Sequence, residues 1–208
     1  MNLRKRDCGV KIELTPTGSQ FLGVDFDFYG KTVTFGPAST MGEQFGAFVN
    51  SLYELFPEAD GEYRACGRRK IHTEGEEHRI VAVTSTVDWD NEGDCMSISM
   101  TRYISGEKAN YIFLRVSTDY EKTFEEYIIK DRDLCYAVAK ACTDALKKYG
   151  IYGYKYSTEY DTFSFHRLLF IKAYALECAE IRELTNVDEY GGKRTDFEKE
   201  IQVLLFDM

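Results

Sequence analysis

The sequence predicts an α+β fold in which an antiparallel or mixed β-sheet of about five to six strands is packed by about three to four helices. Segments that alternate apolar and polar residues occur in two groups, and segments with helical spacing follow each group. Helices therefore do not alternate one by one with strands, which disfavours a doubly wound parallel sheet. The length of 208 residues, without an internal repeat or linker, favours a single globular domain over 1–208.

Paired strands are predicted near the start of the chain. Val10–Leu14 is a candidate first strand, and Gln20–Phe28 ends in a regular alternation of apolar and acidic residues. Tyr29 and Gly30 give a turn signal, so Lys31–Phe35 is expected to return as the neighbouring strand.

A helix is predicted from about Thr40 to Phe56. Thr40 and Glu43 have the spacing of a capping box, and Pro57 cannot continue the helix. Apolar residues recur along this segment at helical intervals, which predicts one buried stripe. The stripe consists of Met41, Phe45, Phe48, Val49, Leu52 and Phe56.

A β-meander is predicted in the middle of the chain. Alternation over His78–Trp89, over residues 95–101 and over Tyr111–Val116 predicts strands, and turn signals at 91–93 and 105–107 separate them. Apolar residues on both faces in places indicate a sheet that is covered on at least one side. Residues 124–129 fit either a helix or a strand.

The C-terminal half is predicted to be helical. Asp131 in the first turn and Gly150 at the end mark one helix, since an acidic start suits the helix dipole and glycine commonly closes a helix. Phe163–Glu183 is expected to be a largely buried helix, although a strand over its first part remains open. Thr195 and Glu198 have capping-box spacing, so the chain is expected to end in a helix that docks against the rest.

Composition excludes several functional classes. The chain has 26 basic and 35 acidic residues and a net charge of −9. This charge disfavours binding to duplex nucleic acid or to an anionic membrane. The sequence shows no signal peptide, no apolar run that could span a membrane and only scattered cysteines, so we expect a cytoplasmic setting. It also lacks the common nucleotide, dinucleotide, hydrolase and zinc motifs, so neither a cofactor nor a metal is expected.

An acidic hairpin is the leading candidate for a protein-binding site. Asp88, Asp90, Glu92 and Asp94 surround Trp89 at a predicted hairpin tip, in a stretch without basic residues. Period-two alternation would place the four acids on one face, and tryptophan is a favoured anchor in protein interfaces. Two alternatives remain. One is a calcium loop, which lacks the glutamate needed at its twelfth position, and the other is a solvated tip whose tryptophan packs inward.

A basic cluster is the second candidate. Arg64, Arg68, Arg69 and Lys70 place four cations within seven residues. Such a cluster suits a phosphate or another anion. We treat Arg68, Arg69 and Lys70 as a weak anion-binding site, because the surrounding acidic residues favour a solvated and charge-balanced loop.

The histidines provide two further candidates. A three-residue hairpin loop would place His72 and His78 directly opposite each other, where two imidazoles and nearby carboxylates would suit a divalent metal or a general base. Solvated histidines at a charged turn are the simpler interpretation. Ser164 and His166, with Cys178 downstream, are the residue types of a nucleophile and its base. A buried, hydrogen-bonded His166 at a helix start is again simpler.

These features favour a non-enzymatic, acidic protein-binding module, immunity- or inhibitor-like, that contacts a basic protein partner. An exposed Trp89 and the tyrosine-rich segment Tyr149–Tyr160 would supply contact area in such a complex.

Two other functions remain open. One is a small hydrolytic or phosphate-handling enzyme with a site near His72, His78, Arg68 and Arg69. The other is a homo-oligomer joined by the Gly42–Gly46 notch and the C-terminal helix. The chain is accordingly expected to be a monomer or a homodimer.

Overall fold

Two antiparallel sheets and four helices make up most of the described chain, and the predicted α+β fold class is confirmed. A computed structural model describes residues 3–5, 7–16, 22–35, 44–56, 69–76, 78–91, 94–118, 124–157, 164–179, 186–187 and 193–208. The strands are β1 Val10–Pro16, β2 Leu22–Phe28, β3 Lys31–Phe35, β4 Lys70–Glu74, β5 Arg79–Asn91, β6 Asp94–Tyr103, β7 Tyr111–Thr118, β8 Phe124–Lys130, β9 Asn186–Val187 and β10 Lys193–Arg194. The helices are α1 Gln44–Glu54, α2 Asp131–Ser157, α3 Phe165–Ala175 and α4 Phe197–Leu205.

The first sheet has the strand order β1-β2-β3. Its β2–β3 turn is formed by Tyr29 and Gly30, whose φ angles of 56° and 91° are both positive. Positive φ at both central residues matches the right-handed twist of the flanking strands, and glycine adopts it without strain. The predicted turn is therefore confirmed.

The second sheet is a meander with the order β4-β5-β6-β7-β8. Alternation divides it into an inner face, which is buried, and an outer face, whose side chains remain half-buried or exposed. The inner face carries Val83, Ser85, Val87, Trp89, Ile98, Met100, Ile112, Leu114, Val116, Tyr127 and Ile129. The segment that fitted a helix or a strand is β8, and its pairing with β7 places Tyr127 and Ile129 on this face, whereas Ile128 is exposed on the outer face.

The core lies between the inner face and the elements that cover it. The first sheet covers one end, where the rings of Phe35 and Trp89 lie 5.0 Å apart and those of Phe28 and Tyr127 lie 4.5 Å apart. Helices α1 and α3 cover the other end, where Phe56 contacts the ring of Tyr174 at 4.5 Å. Such aromatic pairs add about 0.5–1.5 kcal/mol each beyond their area burial. One continuous core therefore joins both sheets to the helices.

The helices follow the predictions with local corrections. Gly150, with φ 70° and ψ 164°, breaks α2, as predicted, and a second helical piece continues to Ser157. Residues 165–175 are helical, so the alternative of a strand there is wrong. The cap of α4 is Asp196 rather than Thr195, because the Asp196 carboxylate accepts the backbone N–H groups of Glu198 and Lys199. No helix in the described ranges is both long and apolar enough to cross a membrane.

Helix α4 docks through part of its apolar surface only. Val203 is fully buried, as expected for a docked helix. Phe197, Ile201 and Leu205 instead point outward, and Phe197 and Leu205 are 71% and 72% exposed. Their spacing of four residues makes them one exposed apolar stripe. Of the Gly42–Gly46 notch, Gly46 is buried in α1 and Gly42 lies outside the described residues.

Candidate functional site

Most side chains on the outer face of the five-stranded sheet are half-buried or exposed in the described part of the chain. The strand register sets its rows: Thr84 pairs with Thr101, which pairs with Phe113, and Thr86 pairs with Ser99, which pairs with Arg115. The described residues of the face are Lys70, His72, Ala82, Thr84, Thr86, Asp88, Ser97, Ser99, Thr101, Tyr103, Tyr111, Phe113, Arg115, Ser117, Glu126, Ile128 and Lys130. The helices that contact the sheet pack on the opposite, inner side.

Hydroxyl groups form an ordered ladder across this face. The Thr84 and Thr101 hydroxyls are 2.9 Å apart, and Thr86 donates to the Ser99 hydroxyl at 3.3 Å. His72 extends the first row, because its Nε2 lies 3.0 Å from the Thr84 hydroxyl. Cross-strand hydroxyl pairs stabilise a sheet by about 0.2–1 kcal/mol each. They also hold these short side chains in fixed positions, so a ligand would meet an ordered polar surface.

An aromatic pair and an ion pair border a hollow on the face. The rings of Tyr103 and Phe113 meet edge to face at 5.1 Å, and the Lys108 ammonium lies 5.4 Å and 5.1 Å from their centres. Arg115 donates from Nε and Nη2 to one oxygen of Glu126, at 2.9 Å and 2.6 Å. The hollow measures about 350 Å³ and includes Ser99 and Thr101 in its lining. It combines an apolar wall with donors and acceptors, which suits recognition of an amphipathic side chain.

The acidic hairpin joins the end of this face, but Trp89 does not belong to its surface. Trp89 is 0% exposed and packs on Phe35, so the predicted exposed anchor is wrong and the alternative of an inward-packed tryptophan is confirmed. The reason is strand parity, because Trp89 continues the inner row of Val87. Asp88 is exposed at the edge of the outer face.

The remaining acids of the hairpin are less completely described. Asp90 pairs with Cys95, whereas Asp94 pairs with Asn91. In the strand register Asp94 is therefore out of step with Asp88 and Asp90, which does not match the strict alternation that was expected. Glu92 lies outside the described residues, as do the side chains of Asp90 and Asp94.

The histidine pair does not form. His72 pairs with Ala82 across β4 and β5, whereas His78 lies in the turn with a φ of 50°. The expectation that the two imidazoles face each other is wrong, because the turn is one residue longer than predicted and ends at His78 rather than before it. Among the described residues, no three histidine, cysteine or acidic side chains gather as metal ligands would.

The basic cluster is only partly described. Arg69 donates from Nη2 to the backbone carbonyl of Phe56 at 3.1 Å, at the end of α1. Lys70 is exposed at the start of β4, and Arg64 and Arg68 lie outside the described residues. Arg69 thus holds a helix end, so one of the three predicted anion ligands already has a structural contact.

Ser164 and His166 do meet, at the start of α3. The Ser164 hydroxyl lies 2.7 Å from His166 Nδ1, and His166 is exposed rather than buried as expected. Cys178 is buried beyond the opposite end of the helix. At about 1.5 Å of rise per residue the two ends of α3 are too far apart for Cys178 to act with His166.

The tyrosine-rich segment stays largely untested. Tyr149 is half-buried, and the Lys148 ammonium lies 5.0 Å from its ring. Tyr152, Tyr154 and Tyr156 fall in the helical piece after Gly150, but their side chains lie outside the described residues, as does the whole of Tyr160.

A buried charge cluster beneath the sheet had no signal in the sequence pattern. Arg102 donates from Nε to Asp131 at 3.0 Å and from Nη2 to the Tyr174 hydroxyl at 3.1 Å, and Tyr174 donates to Asp131 at 2.5 Å. Burial, together with the hydrogen bond to Asp131, raises the pKa of Tyr174 to about 12. The guanidinium also lies over the Phe56 ring at 4.4 Å. The cluster joins β6, α2 and α3, so it fixes the helices against the inner face.

Comparison with known proteins finds no counterpart: no family model, no curated protein and no solved structure matches the chain. Function is therefore inferred from the geometry and charge of the residues described above.

Proposed function

We propose that the protein is a non-enzymatic binding module that recognises a basic region of a protein partner through the outer face of the five-stranded sheet. The observation that carries the proposal is the Tyr103–Phe113 pair beside the hollow, on a face whose side chains are only half-buried. When a partner covers a sheet face of this kind, burial of the aromatic side chains contributes most of the binding free energy.

The residue types on the face favour a protein as the partner. Tyrosine supplies a large, rigid contact area at low entropic cost, and serine and threonine supply adaptable hydrogen bonds, a combination that is typical of protein-recognition surfaces. The hydroxyl ladder of Thr84, Thr101, Thr86 and Ser99 is already ordered. Little side-chain freedom would therefore be lost on binding.

The net charge of the chain and its acidic hairpin favour a basic partner, whereas the cations Lys108 and Arg115 border the hollow itself. The net charge is −9, and no basic residue occurs between Arg79 and Arg102, the stretch that contains Asp88 and the rest of the acidic hairpin. Complementary charge mainly accelerates and selects the encounter, whereas buried aromatic contacts provide affinity. In this proposal Asp88 steers the partner, and Tyr103 and Phe113 hold it.

Affinity capture with variant baits tests the proposal. An extract of cells that naturally express the protein is passed over four baits: wild-type chain, Phe113→Ala, Asp88→Lys and the matched control Glu198→Lys. Glu198 is exposed on α4, which packs against α3, and its reversal changes the net charge by the same amount as Asp88→Lys. We expect wild type and Glu198→Lys to capture a basic protein that high salt releases, and the other two baits to lose it.

Three outcomes would contradict the proposal. A wild-type bait that captures nothing at low salt argues against a binding module. A partner that all four baits retain equally places the interface elsewhere. A partner lost equally by Asp88→Lys and Glu198→Lys shows a response to total charge rather than to the outer face. Circular dichroism of each bait verifies that the variants are folded.

A further inference from the structure

The free edge of β1 is a second surface with a defined geometry. Within the described residues β1 pairs with β2 alone. The Tyr29 N–H donates to the Gly9 carbonyl at 2.8 Å, so these two residues form a hydrogen-bonded pair. Hydrogen-bonded and non-hydrogen-bonded pairs alternate along an antiparallel ladder. Lys11 and Glu13 therefore direct their backbone groups toward β2, and Val10, Ile12 and Leu14 direct theirs to the free edge.

Three backbone positions are thus available for pairing. They belong to Val10, Ile12 and Leu14, whose side chains point toward α2. An edge strand with unpaired N–H and C=O groups is a ready template for another strand. Such pairing is limited to about five residues. β1 begins at Val10, and Pro16 at its other end cannot donate a backbone hydrogen bond.

An apolar groove runs beside this edge. It measures about 640 Å³ and lies between β1 and α2. Its α2 wall presents Ala137, Ala141 and Ala145, which recur every four residues and leave room above the helix. Ile12 and Leu14 are half-buried along the groove. A strand added to β1 would place every second side chain over this groove, where apolar residues would be sheltered from water.

The charges on the outward side of β1 are self-complementary. Lys11 and Glu13 are both exposed and flank Ile12 symmetrically. When two β1 strands pair antiparallel about Ile12, Lys11 of one copy lies opposite Glu13 of the partner subunit, and Glu13 lies opposite Lys11 of the partner subunit. Directly opposed opposite charges stabilise a strand pair, and like charges destabilise it.

We propose that two copies of this chain form a symmetric dimer by antiparallel pairing of β1 with β1. Its hydrogen-bonded pairs join Ile12 to Ile12 of the partner subunit, and Val10 to Leu14 of the partner subunit in both directions. A single two-fold axis through the Ile12 pair accounts for the direction of the backbone groups, the pairing of opposite charges and the symmetric positions of the apolar residues. The two first sheets then form one continuous six-stranded sheet, and the outer faces of both copies stay accessible.

The dimer is expected to depend on concentration. Pairing involves about five residues from each copy, whereas stable interfaces use roughly 20–30 residues a side. Analytical ultracentrifugation of the wild-type chain, whose mass is 24.0 kDa, measures the dissociation constant directly. Lys11→Glu and Glu13→Lys are then measured alone and as an equimolar mixture.

Charge reversal gives a distinctive result. Each single variant opposes like charges twice in its own dimer, so we expect its dissociation constant to rise about tenfold or more. In the mixture, the two variants are complementary, and the heterodimer should recover near wild-type affinity. Both variants should remain folded, because Lys11 and Glu13 are exposed. Each reversal also changes a cross-strand pair within the monomer, since Lys11 lies opposite Asp27 and Glu13 lies opposite Asp25, so recovery in the mixture is the decisive result.

Phe197→Ser serves as the control, because the exposed stripe of α4 is another apolar surface in the described chain that two copies could share. The proposal requires this variant to dimerise like wild type. A dimer abolished by Phe197→Ser and indifferent to Lys11→Glu would place the interface on α4 and overturn the proposal. A wild-type chain that stays monomeric at the highest attainable concentration would also overturn it.

Discussion

The ammonium group of Lys172 lies 2.8 Å from the backbone carbonyl of Phe206, so a fully buried cation on α3 closes the end of α4. It also donates to the Leu204 carbonyl at 2.9 Å and to the Thr143 hydroxyl at 3.0 Å. The last carbonyls of a helix have no partner within the helix, and a cation there suits the helix dipole. Lys172 thereby joins α2, α3 and α4 through one side chain.

The burial of Lys172 predicts a pH-dependent stability. Burial lowers the pKa of Lys172 to about 8 from 10.5, Lys147 lowers it further, and Asp207 opposes the shift. Between these two values the unfolded chain binds more protons than the folded chain, so the free energy of unfolding should rise with pH. We expect the unfolding free energy of wild type minus that of Lys172→Met to become more positive from pH 8 toward pH 10.5.

Urea unfolding at a series of pH values measures that difference, and subtraction of the variant removes the contributions of other groups. Lys130→Met, at an exposed position, is the matched control for removal of a lysine. A pH-independent difference for Lys172→Met would mean that Lys172 keeps its ordinary pKa in the folded chain.

Local patterns predicted much of the fold, while groups that meet across long sequence distances were not predictable. The alternation of Val24, Phe26 and Phe28 specified β2, because one face of a strand must be buried. By contrast, the carbonyl groups that accept from Lys172 lie 32 and 34 residues further along the chain. The sequence around Lys172 does not predict which distant groups it contacts.

The candidate site shows the same division. Alternation could have indicated that Trp89 faces the core with Val87, but the neighbouring acids favoured an exposed interpretation. The Tyr103–Phe113 pair depends on the β6–β7 register, which places Tyr103 next to the row of Thr101 and Phe113. The free edge of β1 depends on the whole strand order, which single segments do not reveal.

The burial of Trp89 predicts its fluorescence. It is the single tryptophan of the chain and is 0% exposed, so its emission should lie at short wavelength and resist quenching by acrylamide. Both properties should change to those of a solvated indole on unfolding. Native emission at the wavelength of free tryptophan would show that Trp89 is exposed to solvent and would contradict its packing on Phe35.

The Arg102–Asp131 pair predicts non-additive effects on stability. Arg102→Met leaves Asp131 buried without its cation, which should cost about 3–5 kcal/mol. The double variant Arg102→Met with Asp131→Leu removes both charges, so it should be destabilised less than Arg102→Met alone. Guanidinium unfolding of wild type, Arg102→Met, Asp131→Leu and the double variant measures the three losses of unfolding free energy. A double-variant loss equal to the sum of the two single-variant losses would show that the two side chains do not interact.

The cap of α4 provides a local test. Asp196 accepts the Glu198 and Lys199 N–H groups at 3.0 Å and 3.3 Å, so Asp196→Ala should lower the unfolding free energy by about 1 kcal/mol. Thr195→Ala is the matched control and should have the smaller effect. The reverse order, measured by thermal unfolding, would favour the capping box that the sequence pattern predicted.

The dissociation constant of the captured partner for wild type and for Phe113→Ala, measured by calorimetry at low salt, tests the central claim most directly. Truncation removes half of the edge-to-face pair at the hollow, and loss of such an anchor should weaken binding about tenfold or more. The variant itself should remain folded, since Phe113 lies on the half-buried outer face. An unchanged dissociation constant for a folded Phe113→Ala chain would contradict recognition through the outer face.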